Sequence, residues 1–293
     1  MSALWTLLRQ SVAAWSADRA SSMGAALSYY TLFSIAPLLL IVIAVAGLVF
    51  GEAAARGEIM LQLQGLLGAD GARAVEALLK SVNRPAQGVF ATIAGIVALL
   101  LGATGVFGEL QNDLDRIWRA PVARQESGLM TLLRTRLLAF GLVLGFAFLL
   151  IVSLVVSAVL SALGNWWAPF FGAWEAVAQG VNLAVGFALM TVLFAMIYKL
   201  MPRVSIGWRD VWVGAAATSV LFSIGKLLIG LYIGRSGVTS AFGAAGSLVL
   251  VMVWVYYSSQ IFLLGAEFTW VYAHLHGSRR GQTPASKADA LQC

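Results

Sequence analysis

Polar side chains inside long apolar stretches are the residues of this sequence that could do chemistry. Near the C-terminus, Tyr256, Gln260 and Glu267 recur at spacings that place them on one side of an α-helix. Near the N-terminus, Tyr30 and Ser34 share one side of another helix. Hydroxyl, amide and carboxyl groups can bind a polar substrate, and their cost inside a bilayer makes each of them a candidate for function.

Two interpretations of these polar sides are open. They could line a cavity that faces the cytoplasm between the first and last spanning helices. They could instead form a dry seam in which Tyr, Ser and Gln side chains hydrogen-bond one another, as is common in membrane bundles. Pro37 lies on the same side as Ser34, and a kink is expected there because proline removes a backbone hydrogen bond. Glu267 could equally be solvated at the membrane interface.

Lys226 is a cation inside an apolar stretch, on the same helical side as Ser219, Ser223 and Gly230. No acidic residue is evident in the sequence at its depth. It could attract a lipid phosphate or another anion, or it could snorkel to the membrane surface beside Arg235.

Residues for catalysis or metal binding are sparse. The histidines, His274 and His276, follow the last apolar stretch, and the single cysteine is Cys293. Metal-dependent phosphodiester hydrolysis needs clustered His, Asp or Glu ligands. The sequence has no such cluster, and no P-loop, dinucleotide fingerprint or nucleophile–base pair rises above background. We therefore expect no enzyme activity, no metal site and no cofactor.

The composition places these residues in a membrane protein. Of 293 residues, 60% are hydrophobic and 11% are charged, against about 45–50% and about 25% in soluble domains. A spanning helix needs about 20 apolar residues. Six continuous stretches meet this requirement, near 24–50, 88–108, 137–163, 180–200, 211–234 and 243–272. We expect an all-α integral membrane protein with six transmembrane helices in a domain of residues 24–273.

The distribution of Lys and Arg predicts the orientation. Most of them lie in the N-terminal segment, in the second and fourth connections and in the C-terminal tail. Short basic loops stay in the cytoplasm, so both termini are expected there. The formal net charge of +6 then fits anionic lipid rather than nucleic acid as a partner.

Three segments are not expected to span. Residues 1–23 are predicted to form an interfacial helix, because Arg9 and Arg19 fall off its apolar side, which consists of Leu4, Leu8, Val12 and Trp15. Residues 51–87 are predicted to form amphipathic helices at the outer surface, either as a cap on the bundle or in contact with the membrane. Residues 274–293 are polar and are expected to be a flexible cytoplasmic tail.

Small residues could allow helices to approach each other closely. Gly141 and Gly145 form one pair at a spacing of four, and Gly230 and Gly234 form another. We expect such pairs to support helix packing within the chain.

Three segments resemble the YihY/virulence factor BrkB family. They are AALSYYTLFSIAPLLLIVIAVAGLVFG at 25–51, DLDRIWRAP at 113–121, and the stretch from 208 to 273. Phe242 stands where a Tyr is expected. The resemblance implies a bacterial inner-membrane protein of six helices. Members of the family have been associated with virulence, envelope integrity and lipid transport, and have carried a ribonuclease label that the residues here do not support.

The expected function is to move or handle a lipid or amphipathic anion for envelope maintenance. The alternative is a structural or scaffolding protein that docks envelope machinery through its outer segment, residues 51–87. Membrane lipids and envelope proteins are the expected partners. The oligomeric state and the energy source are left open by the sequence.

Overall fold

A computed structural model describes residues 3–82, 105–121, 174–236 and 246–280, with isolated helical residues between 141 and 159. Within these residues the chain is helical and contains no strand. The continuous helices are α1 (Ala3–Ala17), α2 (Ala20–Phe50), α3 (Glu52–Val82), α4 (105–117), α5 (Trp174–Leu200), α6 (Trp208–Ser236) and α7 (Gly246–Leu275).

Several helices are long and apolar enough to cross a membrane. They are Gln179–Leu200 in α5, Trp208–Leu231 in α6 and Leu248–Leu275 in α7. In α2, Ala20–Ala36 and Leu38–Leu48 meet at a bend of 44° and count as a further span if taken together. This bend falls at Pro37, where the sequence predicts a kink.

The predicted spans near 88–108 and 137–163 lie mostly outside the described residues. Six crossings and cytoplasmic termini therefore stay predictions. Residues 281–293 of the predicted tail also lie outside. Residues 274–280 do not behave as a free tail, because Ser278 hydrogen-bonds to Asp210 and Arg279 hydrogen-bonds to the carbonyl of Ser205.

α3 covers one end of the bundle, which we call the α3 end. It packs on α2 and α7, and its Ile59, Val75 and Leu79 are buried in a cluster with Val42 and Val251. Gly68 breaks the helix with a φ of 74°, a conformation that glycine adopts without strain. The break lets the two parts of α3 lie at different angles over the bundle.

α6 and α7 approach closely through small residues. Gly214 of α6 faces Thr269 of α7, and Gly265 of α7 faces Thr218 of α6. A Cβ at either glycine would collide with the opposing threonine. Tyr198 of α5 closes this contact, because its hydroxyl donates to the Phe262 carbonyl at 2.8 Å.

Candidate functional site: the basic end of the bundle

The end opposite α3 collects the basic residues, and we call it the basic end. α2 and α6 begin there, and α4, α5 and α7 end there. Its described cations are Arg19, Arg116, Arg119, Lys199, Arg203, Arg209, Arg279 and Arg280. This is the end that the charge distribution predicts to be cytoplasmic.

α4 holds the connection between α5 and α6. Gln111 donates its side-chain amide to the Met201 carbonyl at 3.0 Å. Asp115 accepts a hydrogen bond from the Arg203 backbone amide at 2.7 Å, and its second oxygen lies 3.5 Å from Arg203 Nε. The acidic residues after the second predicted span therefore include one with a clear structural role.

Asp113 has a different environment from Asp115. It is buried, and its Oδ2 has no hydrogen-bond partner in the described part of the chain. Burial, reinforced by the nearby Glu109 and opposed by Arg116, raises the pKa of Asp113 to about 7. This carboxyl group can therefore hold a proton near neutral pH.

Tryptophan rings hold three of the cations at the basic end. Each cation lies over the face of a ring, a favourable contact at a membrane interface where both water and apolar groups are present. The distances to the ring centres are 4.4 Å for Arg119 over Trp270, 5.3 Å for Lys199 over Trp208, and 5.4 Å for Arg279 over Trp118. Arg119 reaches its ring from a left-handed backbone conformation, with a φ of 50°.

Glu267 lies in the contact between α7 and α1. It is 1% exposed, and its carboxyl group hydrogen-bonds to that of Asp18, which is 7% exposed. A hydrogen bond between two carboxyl groups needs a proton on one of them. Glu267 therefore lies within a helix contact rather than in solvent at the interface.

The other polar residues predicted to share a path lie in two environments. Ser34 is buried, whereas Tyr30 and Tyr256 are exposed at 40% and 38%. The side-chain amide of Gln260 lies against Gly24 of α2, and neither of its polar atoms has a hydrogen-bond partner among the described residues. The structure thus brings Ser34, Gln260 and Glu267 into helix contacts and leaves both tyrosines at the surface.

Lys226 is exposed on the side of α6. The surface around it is apolar, since Ile224, Leu227 and Leu228 are each more than half exposed. No acidic side chain of the described residues forms an ion pair with it. A lone cation therefore lies on a surface that the bilayer would cover.

The predicted packing glycines differ from those at the close α6–α7 contact. Gly145 faces Met196 of α5, whereas Gly141 and Gly230 have open space beside them. The surroundings of Gly234 are outside the described side chains. A glycine and a threonine four residues apart occur in both α6 and α7, and this spacing could have indicated the contact from the sequence.

The basic end also contains an open cavity, lined by Ser205, Ile206, Gly207, Ser278 and Arg279. Arg279 donates to the Ser205 carbonyl at 2.9 Å, and Ser278 donates to Asp210, so these polar groups of the wall already have partners. Among the described residues, no group of three or more His, Cys, Asp or Glu could hold a metal ion.

A model of the family described as virulence factor BrkB matches residues 11–290. The chain belongs to the virulence factor BrkB family. The match confirms the resemblance carried by the segments at 25–51, 113–121 and 208–273. No solved structure matches the chain.

Curated relatives of this BrkB family chain are described as UPF0761 membrane proteins. One from Ralstonia nicotianae is 29% identical over 66% of this chain and 42% of its own length. One from Pseudomonas aeruginosa strain LESB58 is 27% identical over 85% of this chain and 58% of its own. One from Alkalilimnicola ehrlichii is 29% identical over 87% and 56%. The chain thus spans about half the length of these relatives.

Proposed function

We propose that this protein acts in the bacterial inner membrane and moves or handles a lipid or another amphipathic anion for envelope maintenance. The observation that carries the proposal is Lys226, a cation exposed among apolar side chains on the outside of α6. A substrate with an acyl chain and a phosphate group matches both parts of this surface.

The position of Lys226 along the helix supports an anion at that point. The α6 span ends at Leu231, so at 1.5 Å per residue Lys226 lies roughly 8 Å inside that end. A lysine side chain is long enough to reach the headgroup level from there. A phosphate bound by this ammonium group would be held beside the apolar surface of α6, which is a first step in moving a lipid along the protein.

The basic end supplies a second surface for an anionic headgroup. Three of its cations are held over tryptophan rings, so these three are placed before a ligand arrives and lose little conformational freedom on binding. A lipid handled at both surfaces would be guided at each face of the membrane. The residues present supply no ATP-binding motif, so passive or partner-driven movement is the proposed mode.

The proposal is tested with purified protein in vesicles that contain a headgroup-labelled anionic phospholipid. The wild-type protein should translocate the lipid faster than empty vesicles, alone or with its partners. Lys226→Met should lower the rate by about tenfold or more, because a contact with a charged group contributes about 1.5–3 kcal/mol. Lys226→Arg keeps the charge and serves as the matched control.

The outcomes separate the two candidate functions. If the wild-type protein gives no translocation above empty vesicles in either condition, transport is wrong and the scaffolding function replaces it. If the wild-type protein translocates lipid and Lys226→Met does so equally well, Lys226 only snorkels, and the substrate path lies elsewhere.

A further inference from the structure

α1 has three different sides. One side is buried against the bundle and contains Leu7 and Ser11, and Asp18, just after the helix end, is buried in line with them. The second side is exposed and apolar, with Leu4, Trp5, Leu8 and Val12 at 64%, 55%, 40% and 52% exposure. The third side is exposed and polar, with Thr6, Arg9, Gln10 and Ser16. At about 100° per residue the centres of the three sides lie roughly a third of a turn apart.

The buried side attaches α1 to α7. α1 packs mainly on α7 and makes few contacts with α2, although α2 follows it in the chain. The hydrogen bond between Asp18 and Glu267 lies at this contact. Trp15, which the sequence places on the apolar side, is half-buried and packs on the core of the basic end. The side left exposed is therefore the one that contains Trp5.

The connection to α2 fixes where α1 lies relative to the membrane. α1 ends at Ala17 and α2 begins at Ala20, and Arg19 between them has a left-handed backbone with φ 55° and ψ 44°. The apolar span of α2 starts at Ala20. The C-terminal end of α1 therefore lies next to the start of this apolar span, at the basic end.

We propose that the exposed apolar side of α1 inserts into the membrane leaflet at the basic end, and that this leaflet carries anionic headgroups. The charges of residues 1–23 are complementary to an anionic membrane surface. Asp18 is the only acidic residue of residues 1–23 and is buried, whereas Arg9 and Arg19 are exposed, and Arg19 is one of the cations of the basic end. Apolar insertion flanked by arginines is how helices bind the surface of anionic bilayers.

The test uses the full chain with Cys293→Ser and a nitroxide label on one new cysteine, in vesicles of phosphatidylglycerol and phosphatidylethanolamine. Leu8→Cys reports the apolar side, and Gln10→Cys is the matched control on the polar side. The label at position 8 should collide several-fold more often with oxygen, which dissolves in lipid, than with a water-soluble nickel chelate. The label at position 10 should show the reverse preference.

Two results would overturn the insertion. If position 8 meets the nickel chelate as often as position 10 does, the apolar side faces water. If labels at position 8 broaden one another's spectra, or Leu8→Cys forms a disulfide-linked dimer, a second copy of the chain covers this side.

A separate experiment tests the role of anionic headgroups. Replacing both lipids by phosphatidylcholine should lower the oxygen preference at position 8 at least twofold. An unchanged preference would overturn the assignment of anionic headgroups. These measurements do not depend on whether the protein transports lipid.

Discussion

The buried carboxyl group of Asp113 makes stability depend on pH in an unusual direction. Its pKa is about 7 in the folded protein against 3.8 for an ordinary aspartate. The folded state therefore binds the proton more tightly than the unfolded state, so stability is highest below the unfolded pKa and falls as pH rises toward 7.

We expect Asp113→Asn to lose this dependence because an amide cannot ionise. Between pH 5 and pH 8 the wild-type protein should lose roughly 2.5 kcal/mol of unfolding free energy through this carboxyl group. The variant should not show this loss. Thermal unfolding of both proteins across that range measures the difference. Glu52→Gln, which removes an exposed carboxylate of α3, should follow the wild-type profile. Parallel profiles of Asp113→Asn and wild type would contradict the account.

The hydrogen bond between Glu267 and Asp18 predicts that two substitutions of Glu267 differ. In Glu267→Gln the amide can donate to the Asp18 carboxylate, so the unfolding free energy should change by less than about 1 kcal/mol. Glu267→Ala leaves a cavity and removes the partner of a buried carboxyl group, which should cost about 2–4 kcal/mol. Thermal unfolding in detergent distinguishes the two, and equal losses would show that the bond contributes nothing.

At the level of helices, the contact between α6 and α7 depends on a reciprocal arrangement. Gly214 and Thr218 lie four residues apart on α6, and Gly265 and Thr269 lie four residues apart on α7. Each glycine receives the threonine of the other helix. Each threonine hydroxyl donates to the carbonyl of the glycine four residues before it, at 2.7 Å, so no polar group is left unpaired by the close approach.

A methyl group added at this contact should therefore be costly. In Gly265→Ala the new Cβ meets the hydroxyl groups of Thr218 and Tyr198, and overpacking of this kind costs about 1–3 kcal/mol. Gly230→Ala is the matched control, because the space beside Gly230 is open. It should be neutral or stabilise by up to about 1 kcal/mol, since alanine favours helix. Thermal unfolding measures both, and an equal effect of the two changes would argue against the contact.

Apolar patterning predicts the helices but not which of their sides meet. The long stretches in α2, α5, α6 and α7 are evident because each is apolar over its whole length. The burial of Glu267 is hard to predict, because its partner Asp18 lies about 250 residues away and outside the apolar stretches. Spacing alone also favours Gly230 over Gly265 as a packing site, since a glycine pair does not reveal whether another helix lies beside it: the space beside Gly230 is open, whereas Gly265 faces Thr218.

For the whole molecule, the distribution of Lys and Arg predicts which end of the bundle faces the cytoplasm. Most of the described cations lie at the basic end, and an end rich in Lys and Arg is usually retained in the cytoplasm. A fluorescent protein fused after His276 should therefore fluoresce in cells, and alkaline phosphatase fused there should be inactive. The opposite pattern would reverse the orientation and place the basic end outside.

The left-handed joint at Arg19 has a mechanical consequence. Only Asp18 and Arg19 separate α1 from α2, and Asp18 is bonded to α7. The two-residue joint, together with the packing of α1 on α7, leaves α1 little freedom to swing away from the bundle and sets its angle to the first span.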